Sequence, residues 1–131
     1  MPVEHLNPEG WPRPSGYSNG TAAAGRMVFV AGQVGWHPVK GWESDDFVHQ
    51  VRQCLENTRA VLEAGGARPE HIVRMTWYVT DKQEYLANLK GVGEAYRAVL
   101  GKVFPAMALV QVAALVEDRA KVEIETTAIV G

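Results

Sequence analysis

The amino-acid sequence predicts an α+β domain, in which a mixed β-sheet carries two helices packed on one of its faces. Three observations lead to this prediction. The chain reads in the order strands, helix, strand, helix, strands; two long segments show helical periodicity; and the closing segment alternates apolar and polar residues. The 131 residues contain no repeat and no linker, so we expect residues 1–131 to form a single domain.

The first elements are an irregular arm and a short strand. Residues 1–16 contain four of the seven prolines together with Gly10 and Gly16, a composition that disfavours a helix or a central strand. Residues 28–31 form an apolar run that Gly32 is expected to end, as in a buried strand. A turn is predicted over residues 38–41.

The first helix is predicted over residues 44–64. Ser44 is the expected N-cap, and Asp45 and Asp46 would lie in the first turn, where the helix dipole favours acids. Apolar residues then recur at three- and four-residue spacing and predict one buried stripe. Gly65 and Gly66 end the helix.

The second half of the chain predicts a strand, a helix and two strands. Residues 71–80 are rich in β-branched and aromatic side chains, which is typical of a strand. Asp81 and Glu84 resemble a capping box that opens a helix, which Gly101 ends. Strands follow at residues 108–112 and 121–129. Two helices on one sheet face leave the other face uncovered, so we expect self-association.

Charge and composition favour a soluble, cytoplasmic protein that binds neither nucleic acid nor a membrane. The net charge is −2 and the basic residues are scattered, which argues against nucleic-acid binding. The N-terminus lacks the pattern of a signal peptide, and no apolar run is long enough to span a membrane. A single cysteine, Cys54, is expected to be buried and inert. Asp45, Asp46 and His49 share a helix face without a recognised ligand spacing, so no metal site is predicted.

Several motifs occur in a fixed order along the chain. They are Ser15-Gly16-Tyr17-Ser18, residues 28–34 around Ala31-Gly32-Gln33, residues 53–67, Val79-Thr80-Asp81, Phe104-Pro105-Ala106 and Val122-Glu123-Ile124-Glu125. In this order and spacing, from about Tyr17 to Val130, the chain resembles the RidA/YjgF family of enamine/imine deaminases, formerly described as L-PSP endoribonucleases.

The resemblance implies a chorismate-mutase-like fold and a homotrimer with three clefts between neighbouring subunits. In such a cleft, water attacks a reactive 2-imino or enamine acid and releases ammonia and a 2-keto acid. The resemblance implies no metal and no organic cofactor.

By position, the resemblance assigns Glu123 and Tyr17 to catalysis and Gly32 to ligand binding. A carboxylate can act as a general base, a tyrosine hydroxyl can hold water or a leaving amine, and a glycine lets the backbone approach a ligand. The alternatives are a solvent-facing strand acid for Glu123, a packing residue for Tyr17 and a turn residue for Gly32.

The residue after Phe-Pro-Ala departs from the pattern of the deaminating members. In those proteins it is an arginine that binds the substrate carboxylate, whereas here it is Met107. A thioether cannot replace a bidentate arginine–carboxylate pair, but it suits apolar and aromatic surfaces. We therefore expect a ligand different from small 2-imino acids. Trp36 and His37, just after the glycine turn, are candidates for stacking and for positive charge. The alternative is plain packing for Met107 and an incidental surface position for Trp36 and His37.

Three functions remain open from the sequence. The first is a hydrolase or deaminase acting on a C–N bond of a small metabolite. The second is a non-catalytic trimeric protein that binds a small molecule or has a regulatory role. The third, disfavoured by the acidic pI of about 6.1 and the absence of a basic stripe, is an endoribonuclease.

Overall fold

A four-stranded mixed sheet forms the centre of the computed structural model, which describes residues 2–131. Its strands follow the order β3 (Arg26–Val34), β6 (Val122–Val130), β4 (Ile72–Val79) and β5 (Ala106–Gln111). The β4–β5 pair is parallel, whereas β6 is antiparallel to both of its neighbours. Strands β3 and β5 therefore form opposite edges of the sheet.

Three helices cover one face of this sheet: α1 (Phe47–Ala64), α2 (Lys82–Ala87) and α3 (Leu89–Leu100). Alternate residues of β4 and β6 face them and are buried, including Met75, Trp77 and Ile124. This arrangement confirms the α+β prediction. The predicted second helix is divided at Asn88, which is both the C-cap of α2 and the N-cap of α3. None of the helices within residues 2–131 has the length and apolarity needed to cross a bilayer.

The opposite face of the sheet, which we call the open face, carries no helix in the described part of the chain. Apolar side chains on β3 point outward there, with Met27 54% and Phe29 68% exposed. Glu123, Glu125 and Tyr78 lie on the same face, because they alternate with the buried residues of β6 and β4.

Two predicted boundaries are wrong in detail. Helix α1 begins later than expected because Asp46, not Ser44, is its N-cap: the Asp46 carboxylate accepts a hydrogen bond from the backbone N–H of His49 at 2.9 Å. Strand β3 continues past Gly32 to Val34. The chain inserts a β-bulge between Val30 and Gln33, which lets the strand accommodate the glycine without ending.

The proline-rich arm is held against the end of β5. Its short strand β1 (Glu4–Leu6) pairs with β2 (Gly20–Ala22). The Ser18 hydroxyl donates to the carbonyl of Phe104 at 2.5 Å, and the Ser18 backbone N–H donates to that of Pro105 at 3.0 Å. These bonds place Tyr17 beside the first residues of β5.

Candidate active site

An aromatic pocket lies at the β5 edge of the sheet, between the arm and helix α3. Its volume is about 690 Å³, which is within the usual range for small-molecule sites. The walls come from the arm, the sheet and the helices: Ser15, Gly16, Tyr17, Trp77, Tyr85, Leu89, Val92, Gly93, Tyr96, Arg97, Phe104, Met107 and Leu109. The structure therefore brings Tyr17 and Met107 together, as two of the residues that the sequence singled out.

Met107 enters the pocket from the helix-covered side of the sheet. In the parallel β4–β5 pair it lies opposite Met75, and Leu109 lies opposite Trp77. Met107 also packs against the core, while part of its side chain stays accessible. It thus both fills space beside the core and forms a wall of the pocket.

Tyrosines of α2 and α3, Tyr85 and Tyr96, form part of the helical wall of the pocket. The Tyr96 hydroxyl donates to the Val103 carbonyl at 2.6 Å, and the Tyr96 ring lies 6.4 Å from that of Trp77. Burial raises the pKa of Tyr96 and of Tyr85 above the ordinary tyrosine value, so both stay neutral hydrogen-bond donors at physiological pH. Among the described residues, the buried indole N–H of Trp77 has no acceptor.

A second group of candidate residues lies elsewhere, where β3 pairs with β6. Gly32 sits in the β-bulge directly against Glu123. A Cβ atom on Gly32 would lie 2.8 Å from the carboxylate carbon of Glu123 and closer still to Oε2. The missing side chain therefore makes room for this carboxylate on the open face.

Within one chain, these two groups do not form a single site. Tyr17 and Met107 line the aromatic pocket at the β5 edge, and neither Gly32 nor Glu123 lines it. Strands β6 and β4 separate the β3 edge from β5, and Met107 and Glu123 point to opposite faces of the sheet. Any reaction that uses both groups requires a second copy of the chain.

Trp36 and His37 belong to the turn that follows β3. The rings of Trp36 and Trp42 lie 5.6 Å apart. The Nδ1 atom of His37 accepts the backbone N–H groups of Val39 and Lys40, both at 3.1 Å. These bonds explain both residues as parts of a turn, and neither lines the aromatic pocket.

Cys54 lies inside α1, and its side chain is fully buried. Burial, with a smaller contribution from the negative charge of Glu123, raises the pKa of the thiol far above its ordinary value. The thiol therefore stays protonated, as an inert core residue would.

The contact between Gly32 and Glu123 gives a first testable prediction. In Gly32→Ala, the new methyl group would displace the flexible Glu123 carboxylate, and the φ angle of Gly32 is one that alanine can adopt. We expect a free energy of unfolding within about 1 kcal/mol of wild type. Any turnover that uses the Glu123 carboxylate should fall at least about tenfold, since small displacements of reacting groups are costly.

Gly20→Ala is the matched control, because a Cβ there would meet Leu6 at an ordinary 3.4 Å. Denaturant titration and steady-state kinetics give the two readouts. Equal activity of Gly32→Ala and wild type would show that the position of the Glu123 carboxylate does not matter.

Fold and pocket together define a class of protein: a small α+β domain with an aromatic pocket large enough for a small organic molecule. Residues 12–130 match the family model described as Endoribonuclease L-PSP. A 2-iminobutanoate/2-iminopropanoate deaminase of Salmonella typhimurium is 37% identical over 105 residues, which cover 80% of each chain.

Solved structures agree with this class. A protein of unknown function of the conserved Rid family, YyfB from Yersinia pestis, superimposes with a TM-score of 0.86 at 31% identity, covering 99% of this chain and 100% of that one. TdcF of E. coli, solved with bound serine, has a TM-score of 0.70 at 30% identity and covers 98% and 99% of the two chains. The chain belongs to the RidA/YjgF family.

Sequence reasoning missed most of the pocket wall. Tyr85 and Tyr96 fit the buried stripe of the second helix, so nothing in their spacing distinguishes a pocket from a core. Arg97 gave no signal of its own. The available hint was Gly93, a glycine inside a helix, where it costs stability and so needs a packing or functional reason.

Proposed function

We propose that this protein hydrolyses the C=N bond of 2-imino acids, releasing ammonia and the 2-keto acid, in clefts shared between copies of a homotrimer. The observation that carries the proposal is the Glu123 carboxylate, which the Gly32 bulge accommodates on an otherwise uncovered sheet face. The deaminase of Salmonella typhimurium named above supports the same chemistry.

Formation of an oligomer is needed because, within one chain, Tyr17 and Met107 lie far from Gly32 and Glu123. The open face exposes Met27 and Phe29, which a neighbouring subunit would bury. In a closed trimer, the β5 edge of one subunit can lie beside the β3–β6 region of the next. Tyr17 and Met107 of one copy would then face Gly32 and Glu123 of another.

In this cleft, Glu123 acts as general base. It accepts a proton from a water molecule as the water oxygen bonds to the carbon of the protonated imine, and the C=N electron pair moves to nitrogen to give a neutral aminoalcohol. The Glu123 carboxylic acid then returns this proton to the amine. As the C–N bond breaks and ammonia leaves, the hydroxyl proton passes to the Glu123 carboxylate and the C=O bond forms. Tyr17 binds the water or the leaving nitrogen through its hydroxyl group.

Met107 occupies the place in which deaminating members of the family have an arginine that binds the carboxylate. A thioether gives the pocket an apolar wall beside Trp77 and Leu109. The cleft therefore favours imino acids with larger apolar side chains than those of three- and four-carbon substrates.

The direct test measures 2-keto acid and ammonia released from 2-imino acids that an amino-acid oxidase generates in the same cuvette. We expect this protein to accelerate hydrolysis above the spontaneous rate. Binding of the same compounds without any acceleration, by a protein that remains assembled, would instead indicate a non-catalytic binding protein.

Met107→Arg provides a second prediction. A new guanidinium in the pocket should pair with the carboxylate of 2-iminopropanoate and raise kcat/KM for that substrate about tenfold or more, the usual value of a charged hydrogen bond. Met107→Leu keeps the volume without the charge and serves as control. If both variants hydrolyse 2-iminopropanoate as wild type does, residue 107 does not select the substrate.

A further inference from the structure

Arg97 is the charged group of the aromatic pocket. Every other residue lining it within the described chain is apolar, aromatic, glycine or serine. A ligand that enters the pocket thus meets apolar walls on most sides and a positive charge at one place.

The guanidinium of Arg97 is available to a ligand. Among residues 2–131 it forms neither an ion pair nor a side-chain hydrogen bond, whereas Arg52, Arg59, Arg68 and Arg119 are each paired with an acid. It lies over Gly93, one helical turn earlier, where a Cβ atom would be 3.6 Å from one of its terminal nitrogens.

The other residues that line the pocket indicate the chemistry of the uncharged part of the ligand. Tyr17, Trp77, Tyr96 and Phe104 supply aromatic surface, and Met107 adds a thioether that packs well against rings. The cavity of about 690 Å³ is large for a three- or four-carbon acid, most of which would remain in contact with water.

We propose that Arg97 binds the carboxylate of the ligand, and that the ligand is a 2-imino acid with an aromatic side chain. The role of the carboxylate-binding arginine has thereby moved from strand β5, where Met107 stands, to helix α3. A planar guanidinium suits a carboxylate because it donates two parallel hydrogen bonds. This inference deepens the proposed function and rests on it for the reaction, but not for the binding.

The binding step is tested with benzoylformate, an aromatic 2-keto acid that cannot enolise, by isothermal titration calorimetry on the full-length protein. We expect Arg97→Gln to raise its Kd about 10- to 100-fold, the range for losing a charged, bidentate hydrogen bond. Arg97→Lys should have a Kd between those of wild type and Arg97→Gln, since lysine keeps the positive charge but cannot donate two parallel hydrogen bonds. Binding of the methyl ester, which lacks the charge, should not change.

Two matched variants identify the responsible charge. Arg52→Gln removes an arginine from an exposed pair on α1, and Lys102→Gln removes a cation that lines the neighbouring cleft with Arg13. Both should bind benzoylformate like wild type. A loss of affinity in Lys102→Gln with none in Arg97→Gln would overturn the proposal, as would tighter binding of pyruvate than of benzoylformate.

Kinetics separate this inference from the proposed function. With the imine of phenylalanine as substrate, Arg97→Gln should raise KM and leave kcat nearly unchanged, the pattern for a uniform binding contact. If the wild type turns over this substrate and Arg97→Gln changes neither its KM nor the Kd of benzoylformate, the hydrolase proposal stands and the role of Arg97 is refuted. Absence of turnover in wild type, with Arg97-dependent benzoylformate binding, would refute the hydrolase and retain the anion site.

Discussion

Glu123→Gln is expected to reduce kcat/KM for 2-imino acid hydrolysis about 10²- to 10⁴-fold, the usual contribution of a general base. The amide has nearly the shape of the carboxylate but cannot accept the proton of the attacking water. Because Glu123 is only partly buried and forms no ion pair among the described residues, the protein should fold normally.

Glu125→Gln is the matched control for this prediction. Glu125 lies two residues further along β6, on the same open face, and accepts the hydroxyl of Tyr78 at 2.5 Å. It carries the same charge without contacting Gly32. Similar losses in both variants would assign the effect to the charge of the open face and not to a base at position 123.

Gln50→Leu is expected to lower the free energy of unfolding by about 2–4 kcal/mol, because it removes three hydrogen bonds from partly buried backbone groups. The Gln50 side chain is fully buried. Its Nε2 group donates to the carbonyls of Ser44 and Arg119 at 3.2 and 3.0 Å, and its Oε1 atom accepts the N–H of Lys121 at 2.9 Å. One side chain thus joins the segment that precedes α1 to the segment that precedes β6.

Urea titration of Gln50→Leu measures this loss. Gln83→Leu is the control, since Gln83 is exposed on α2 and its side chain forms no hydrogen bond within residues 2–131. A change below about 1 kcal/mol in Gln50→Leu would mean that water or local rearrangement satisfies the freed groups. The consequence for function is indirect, because β6 positions Glu123.

The fold could be predicted from the sequence because its signals are local. The apolar stripe of α1, the alternation along β6 and the glycines after both long helices all act within a few residues. The N-cap of α1 was misplaced because Ser44 and Asp46 are both good caps, and only the geometry chooses Asp46. The bulge at Gly32 was missed because a glycine after an apolar run also fits the end of a strand.

The site was less predictable because it depends on long-range contacts. Tyr17 lies near Met107 because its neighbour Ser18 forms hydrogen bonds with the carbonyl groups of Phe104 and Pro105, which are 86 and 87 residues further along the chain. Arg97 lines the pocket only because α3 packs on the sheet, where the Tyr96 ring lies beside that of Trp77, and no periodicity marks it. Trp36 and His37 were candidates because of their residue types and their position just after the glycine turn, and their contacts within residues 2–131 are those of a turn.

Subunit mixing tests the central claim, an imine hydrolase whose site takes Glu123 from one copy and Tyr17 from the next. Glu123→Gln and Tyr17→Ala chains, each expected to be nearly inactive alone, are unfolded together and refolded at equal amounts. In closed trimers assembled at random, about a quarter of the sites would contain one intact half from each chain. We therefore predict recovery of about a quarter of wild-type 2-keto acid release. Mixtures that stay as inactive as their parents, although they contain both chains in one oligomer, would contradict a site shared between subunits.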